Sequence, residues 1–169
     1  ADHGIRDSST SRGLGDVYKR QSQYNALFTG LEVSGQYAFA KIDDFDIISN
    51  VMIDFLKGYR TSNDKALSRI PQTKMNFGIS AVNEDWDSIL AFYHYFDKEF
   101  IGPFQTRTGG HSRLDFDLTR DFNYSDLSGH LMFTASNLLD VVGRSHLESK
   151  KAHVQLPGSS FMFMLKLFY

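Results

Sequence analysis

From Tyr24 onward, apolar and polar positions alternate with a period of two in seven separate stretches. In "LFTGLEVSGQYAF" one set reads Leu27, Thr29, Leu31, Val33, Gly35, Tyr37 and Phe39, with Phe28, Gly30, Glu32, Ser34, Gln36 and Ala38 between. "IISNVMIDFLK" sets Val51, Ile53 and Phe55 against Asn50 and Asp54, and "QTKMNFGISAV" sets Met75, Phe77, Ile79 and Ala81 against Lys74, Asn76, Gly78 and Ser80. "DSILAFYHYF" is apolar in both registers and has no orientation of its own. "RLDFDLTRDF" opposes Leu114, Phe116, Leu118 and Phe122 to Arg113, Asp115, Asp117, Thr119 and Asp121. "DLSGHLMFTAS" opposes Leu127, Leu131, Phe133 and Ala135 to Ser128, His130, Thr134 and Ser136. The closing "SSFMFMLKLFY" runs Phe161, Phe163, Leu165, Leu167 and Tyr169 along one face, and Ser160, Met162, Met164, Lys166 and Phe168 along the other. Successive side chains of a strand point to opposite faces, so each stretch is a strand with one apolar face. The expectation is all-β: an antiparallel up-and-down meander with strands near 26–39, 47–58, 72–82, 87–97, 112–122, 127–137 and 159–169.

A soluble sandwich and a membrane barrel both fit such alternation, and length and connections separate them. Globular strands average about five or six residues. These stretches are nearer the roughly 9–11 residues that a tilted strand needs to cross a ~30 Å hydrocarbon layer. Read back from the end, the connections alternate: 138–158 long, 123–126 short, 97–111 long, 83–86 short, 59–71 long, 40–46 shorter. Tight turns on one side and long loops on the other is the pattern of outer-membrane barrels.

Composition agrees. Of 169 residues 41% are hydrophobic and 14% aromatic, with 15 Phe and 8 Tyr, yet mean hydropathy is negative. No apolar run reaches the ~18 residues of a membrane-crossing helix. Net charge is -2, and the longest basic run is Lys150–Lys151, which argues against a nucleic-acid partner. With no cysteine, disulfides and thiolate metal sites are excluded.

With the last strand running toward the periplasm, every long loop falls on the cell exterior. Lys57 then lies near the outer rim and Arg120 near the inner one, where charged tips snorkel. Tyr37, Phe39, Trp86, Phe122 and Tyr169 fall at the rims, as aromatic girdles require. The membrane-facing positions are Phe77, Leu114, Phe116, Leu118, Phe161, Phe163, Leu165, Leu167 and Tyr169. Residues 1–22, "ADHGIRDSSTSRGLGDVYKRQS", show neither period and lack the apolar core of a signal peptide. They are expected to be a disordered polar tail. Because "DVYKRQ" resembles adapter-derived tails on translated metagenomic fragments, they need not belong to the natural chain.

"GLEVSGQY", "RIPQTKMNFGI", "NLLD" at 137–140 and "LPGSSFMFML" leading into an aromatic end occur in an order and spacing that resemble the C-terminal barrel region of TonB-dependent receptors. The resemblance covers about residues 24–169, and departs where Ser159 stands in place of the family's usual Arg. It implies a bacterial outer-membrane receptor of about 22 strands, with an N-terminal plug that binds substrate and couples to the TonB complex. Neither plug nor TonB-contacting segment is in the sequence, so residues 23–169 are expected to be the C-terminal part of such a barrel. The terminal aromatic row resembles the signal read by the barrel-insertion machinery. "NLLDVVGRSHLESKK…LPG" and "RIPQTKMNFGISAVNEDW" are most similar to the zinc-uptake subgroup, whose last external loop carries a like Arg-x-His and Lys; here these are Arg144, His146 and Lys150 or Lys151. The implied partners are outer-membrane lipid, lipopolysaccharide, and a metal ion or metal chelate such as an iron-siderophore. No cofactor is implied.

Three histidines, His111, His146 and His153, fall in or beside external loops and are the candidate metal ligands, with Glu99, Asp140 and Glu148 as carboxylate partners. No HxxxH-type spacing fixes two of them on one face, and solvated loop histidines are the plainer reading. The loop lacks aromatic residues between Asn137 and Phe161, which favours a metal ion over a planar chelate. His130 falls on the polar row. If Phe122 faces Leu127 across the turn, His130 lies opposite Thr119 and diagonal to Asp117 and Asp121, a hydrogen-bonded histidine in an acidic lumen. Neither GxSxG nor HExxH occurs, and the expectation is not an enzyme. Two other classes stay in view. One is an outer-membrane hydrolase using Ser128 and His130; the other is a soluble carbohydrate-binding β module, which unlike a barrel would need no detergent.

Overall fold

The computed structural model describes residues 23–125, 127–148 and 150–168. The expected tail at 1–22 and the rim position of Tyr169 lie outside those residues. The rest is one seven-stranded antiparallel sheet in sequential order: β1 (Ala26–Ile42), β2 (Phe45–Arg60), β3 (Lys74–Val82), β4 (Trp86–Tyr95), β5 (His111–Tyr124), β6 (Leu127–Ser136) and β7 (Ser160–Phe168). No helix occurs among the described residues.

The first two strands run longer than their alternation suggested. The 40–46 connection shrinks to a turn at Asp43 and Asp44, with Asp43 at φ 54°. β1 reaches it through a bulge: Ala38 pairs with Ile48 and Ala40 with Ile47, so Phe39 is an inserted residue. Two residues against one exchanges the faces beyond the bulge and lets Ile42 and Phe45 close the hairpin.

Register builds the two faces. Tyr37, Ser49, Ile79, Leu90, Phe116, Ala135 and Phe161 stand opposite one another in a row across all seven strands. Phe77 faces Phe92 and Phe92 faces Leu114, while Leu118, Phe133 and Phe163 continue the same face. Eight of the nine named apolar positions thus share one face. Phe77, Phe161, Phe163, Leu165 and Leu167 are exposed on it. β4, unorientable alone, takes its sense from its neighbours: Leu90, Phe92 and His94 join the apolar face, and Ile89, Ala91, Tyr93 and Tyr95 the polar one.

The β5–β6 hairpin corrects one expectation. Tyr124 pairs with Leu127, with Ser125 after it at φ 54°, so Phe122 faces Gly129 and not Leu127. The register moves by two residues. His130 therefore faces Asp121, with Nδ1 at 2.5 Å from Oδ1, and Thr119 faces Met132. The shift preserves the face and changes the partner.

The tight turns 43–44, 83–85 and 125–126 lie at one end of the sheet and the loops 61–73, 96–110 and 137–159 at the other. Asn83 Oδ1 accepts from the Asp85 and Trp86 amides, and its Nδ2 donates to Asp44, tying two turns together. Most of the buried apolar side chains, Ala66, Leu67 and Ile70, belong to the loop end. There the 61–73 loop folds back on β2, and the Leu67 amide donates to the Gly58 carbonyl. A Cβ on Gly58 would come within 2.9 Å of the Ile70 side chain and 3.1 Å of Leu67, so any larger residue would have to displace these side-chain ends.

Candidate functional site

The three long loops fasten to one another. Ser68 Oγ donates to the Pro103 carbonyl, the Arg69 amide to Gln105 Oε1, and Gln72 Nε2 to the carbonyls of Phe96 and Gly109. "NLLD" anchors the last loop. Asn137, buried and at φ 52°, receives the Val141 amide on Oδ1 and donates Nδ2 to the carbonyls of Val141 and Pro157. Its own amide donates to Asp115 Oδ1, whose other oxygen pairs with Arg113 at 2.8 Å. Asp140 Oδ1 accepts the Ser159 amide as the chain turns into β7. Short polar side chains that bond backbone at both ends of the loop give this motif its work.

Between the 96–110 and 137–159 loops lies a buried knot of Lys98, Thr108, His146 and Lys151. Lys151 Nζ donates to the Thr106 carbonyl at 2.5 Å and to Thr108 Oγ1 at 2.6 Å, and stands 3.1 Å from His146 Nδ1. Thr108 Oγ1 is 2.8 Å from the same nitrogen. A lysine ammonium only donates, so His146 Nδ1 is the acceptor and the neutral ring carries its hydrogen on Nε2. Burial, then the charges of Lys151 and Lys98, push the His146 pKa down to about 4. Burial likewise lowers Lys98 and Lys151. His146 is only 2% exposed, unlike a solvated loop histidine.

Beneath this loop, the polar face supplies the row Asp54, Lys74, Tyr95 and His111, each directly opposite the next. Arg113 stands one rung along, its guanidinium over the Tyr93 ring at 5.0 Å. His111 stacks on Tyr95 with centroids 4.6 Å apart and planes 8° from parallel. A Cβ on Gly143 would lie 2.7 Å from His111 Nε2, so the loop passes over the imidazole at a glycine. Row and loop enclose a cleft of about 240 Å³, roofed by Ser145, His146, Leu147 and Leu156.

Of the three candidate ligands, His111 and His146 share this cleft. His153 does not line it and is exposed. Among the described residues no three His, Asp or Glu side chains are grouped to hold a metal. His146 Nδ1 is committed to Lys151 and Thr108, and Nε2 bears a proton, so this arrangement makes His146 a donor. Lys151, and not Lys150, is the lysine that meets His146. Thr108 carried no sequence signal, since its side-chain partners His146 and Lys151 lie some forty residues away. No hydrogen bond joins Ser128 to His130, so the pair proposed for a hydrolase is not assembled.

No family model and no curated protein matches the sequence. Among solved structures, the chain is similar to one titled copper transporter OprC, with a TM-score of 0.71 at 19% identity, over 85% of this chain and 24% of that one. At that identity the likeness is one of fold, and the chain spans about a quarter of that transporter's length.

Proposed function

We propose that the chain is a C-terminal segment of a TonB-dependent outer-membrane receptor, and that the whole protein imports a scarce nutrient, a metal ion or metal chelate. The observation that carries this is the predominantly apolar face shared by all seven strands, exposed at Phe77, Phe161 and Phe163 and backed by a polar face one residue away. A contiguous apolar surface of this extent is costly in water and suited to lipid. The alternation of tight turns with long interlocked loops supports it, as does fold likeness to a transporter. About 15 further strands and a plug would then complete a barrel of the 22-stranded class.

Within this reading zinc has no privileged place. Its support was the similarity of two stretches, with Arg144, His146 and Lys150 or Lys151 in the last loop, and in this geometry His146 and Lys151 bind loops to each other. The name of the similar transporter brings copper alongside zinc and iron-siderophore complexes. Growth of a strain lacking the intact gene, under separate zinc, copper and iron limitation, distinguishes them. Impaired growth under one limitation, restored by the gene only when TonB is present, is the expected result. Equal growth under all three would refute metal import.

A further inference from the structure

We infer that the cleft between the sheet and the 137–159 loop binds the anionic oxygens of a small soluble carboxylate or phosphate. The inference does not rest on metal transport. It rests on donors that lack acceptors. His146 Nε2, fixed as N–H by the Lys151 contact, is buried without a partner among the described residues. Arg113 Nε is likewise buried and unpartnered, although another guanidinium nitrogen pairs with Asp115. His111, 9% exposed, has partners on neither ring nitrogen. All three side chains line the same cleft. Buried polar groups in folded proteins are almost always paired, so a cluster of unmet donors calls for an acceptor from outside the chain.

Charge selects the kind of acceptor. The lining holds Lys74, Arg113 and Asp54, Asp115 pairs with Arg113 from beside it, and Lys151 stands behind His146. The proton on His146 Nε2 and the Lys151 ammonium at its other nitrogen disfavour a metal ion there. An oxyanion takes several N–H donors at once, and charge-assisted bonds of this type are the stronger ones. The cleft opens on the polar face, away from the apolar row, which points to a soluble ligand and not to a lipid headgroup. At about 240 Å³ it exceeds several times the ~30 Å³ share of one water molecule, which leaves room for a polyatomic group.

The test is calorimetric titration of the full-length protein in detergent with citrate, inorganic phosphate, zinc chloride and lipopolysaccharide micelles in turn. The variant is His146→Asn, whose amide oxygen can replace Nδ1 as acceptor for Lys151 while removing the Nε2 donor. Citrate or phosphate is expected to bind, and His146→Asn to weaken it about tenfold with the melting temperature unchanged. Lys74→Gln, at a half-buried position, is expected to weaken it several-fold and decides the matter if His146→Asn fails to fold. Absence of citrate and phosphate binding, or affinity unchanged in the folded variants, would overturn the inference and leave the donors to water. Binding of zinc alone or of lipopolysaccharide alone would overturn it equally.

Discussion

Lys151 and His146 join two long loops through bonds that a single protonation pattern permits. With the His146 pKa held near 4 against an ordinary value near 6.5, the unfolded chain takes up the proton first as pH falls. The linked stability is therefore full above about pH 6.5 and declines as pH drops toward 4. Hydrogen exchange should report it: protection of the Leu156 amide, bonded to the Gly143 carbonyl, is expected to fall across that window and to stay flat in His146→Asn. Lys151→Ala removes the donor to Thr106, Thr108 and His146, and is expected to cost about 1–3 kcal/mol in thermal or denaturant unfolding. Of this knot, the sequence showed only that His146 and a lysine were worth attention. A solvated ring was the plainer reading of this loop histidine and a metal ligand the sharper one, and the correction to both came from Thr108 and Lys151, whose placement spacing along the chain cannot give. "NLLD" was more legible because Asn137 also bonds backbone four residues on, and such turn bonds are what local sequence encodes, while the bonds of Asn137 to Pro157 and of Asp140 to Ser159 were not foreseen.

Strands were the most legible elements, since alternation fixes which side chains share a face without fixing who pairs with whom. All seven were foreseen, with ends moved by a few residues. The failures were of register and turn. The β5–β6 pairing depended on a turn at Ser125, whose positive φ is not signalled by serine. The bulge at Phe39 was hidden in a continuous apolar run, and β4 had to borrow its orientation from β3 and β5. The faces themselves are testable. Phe116→Arg places a charge in the middle of the apolar row and is expected to destabilise the bilayer-inserted protein by about 2–4 kcal/mol, against little change for the neighbouring Asp117→Arg. Urea-dependent refolding into lipid vesicles measures both, and equal costs would mean that the two faces see the same solvent.

At the scale of the molecule, the sheet is open, with β1 and β7 each paired on one side only. Unpaired strand edges cannot be satisfied in hydrocarbon, so a membrane-spanning sheet of this kind needs further strands to close it. The segment expressed by itself is accordingly expected to aggregate, and a stable detergent-free monomer with cooperative melting would instead favour the soluble β module. Alternation within seven strands fixes faces and order, and it encodes neither a total strand number nor a substrate. The most direct measurement is spin-label accessibility along β3, β5 and β7 of the full-length protein in bilayers, with one cysteine at a time. Labels at Phe77, Phe116 and Phe163 are expected to be relaxed by dissolved oxygen, and those at Asn76, Asp117 and Met162 by a water-soluble nickel chelate, alternating residue by residue. Equal access of the nickel chelate to both sets would contradict a lipid-facing row and, with it, the membrane barrel.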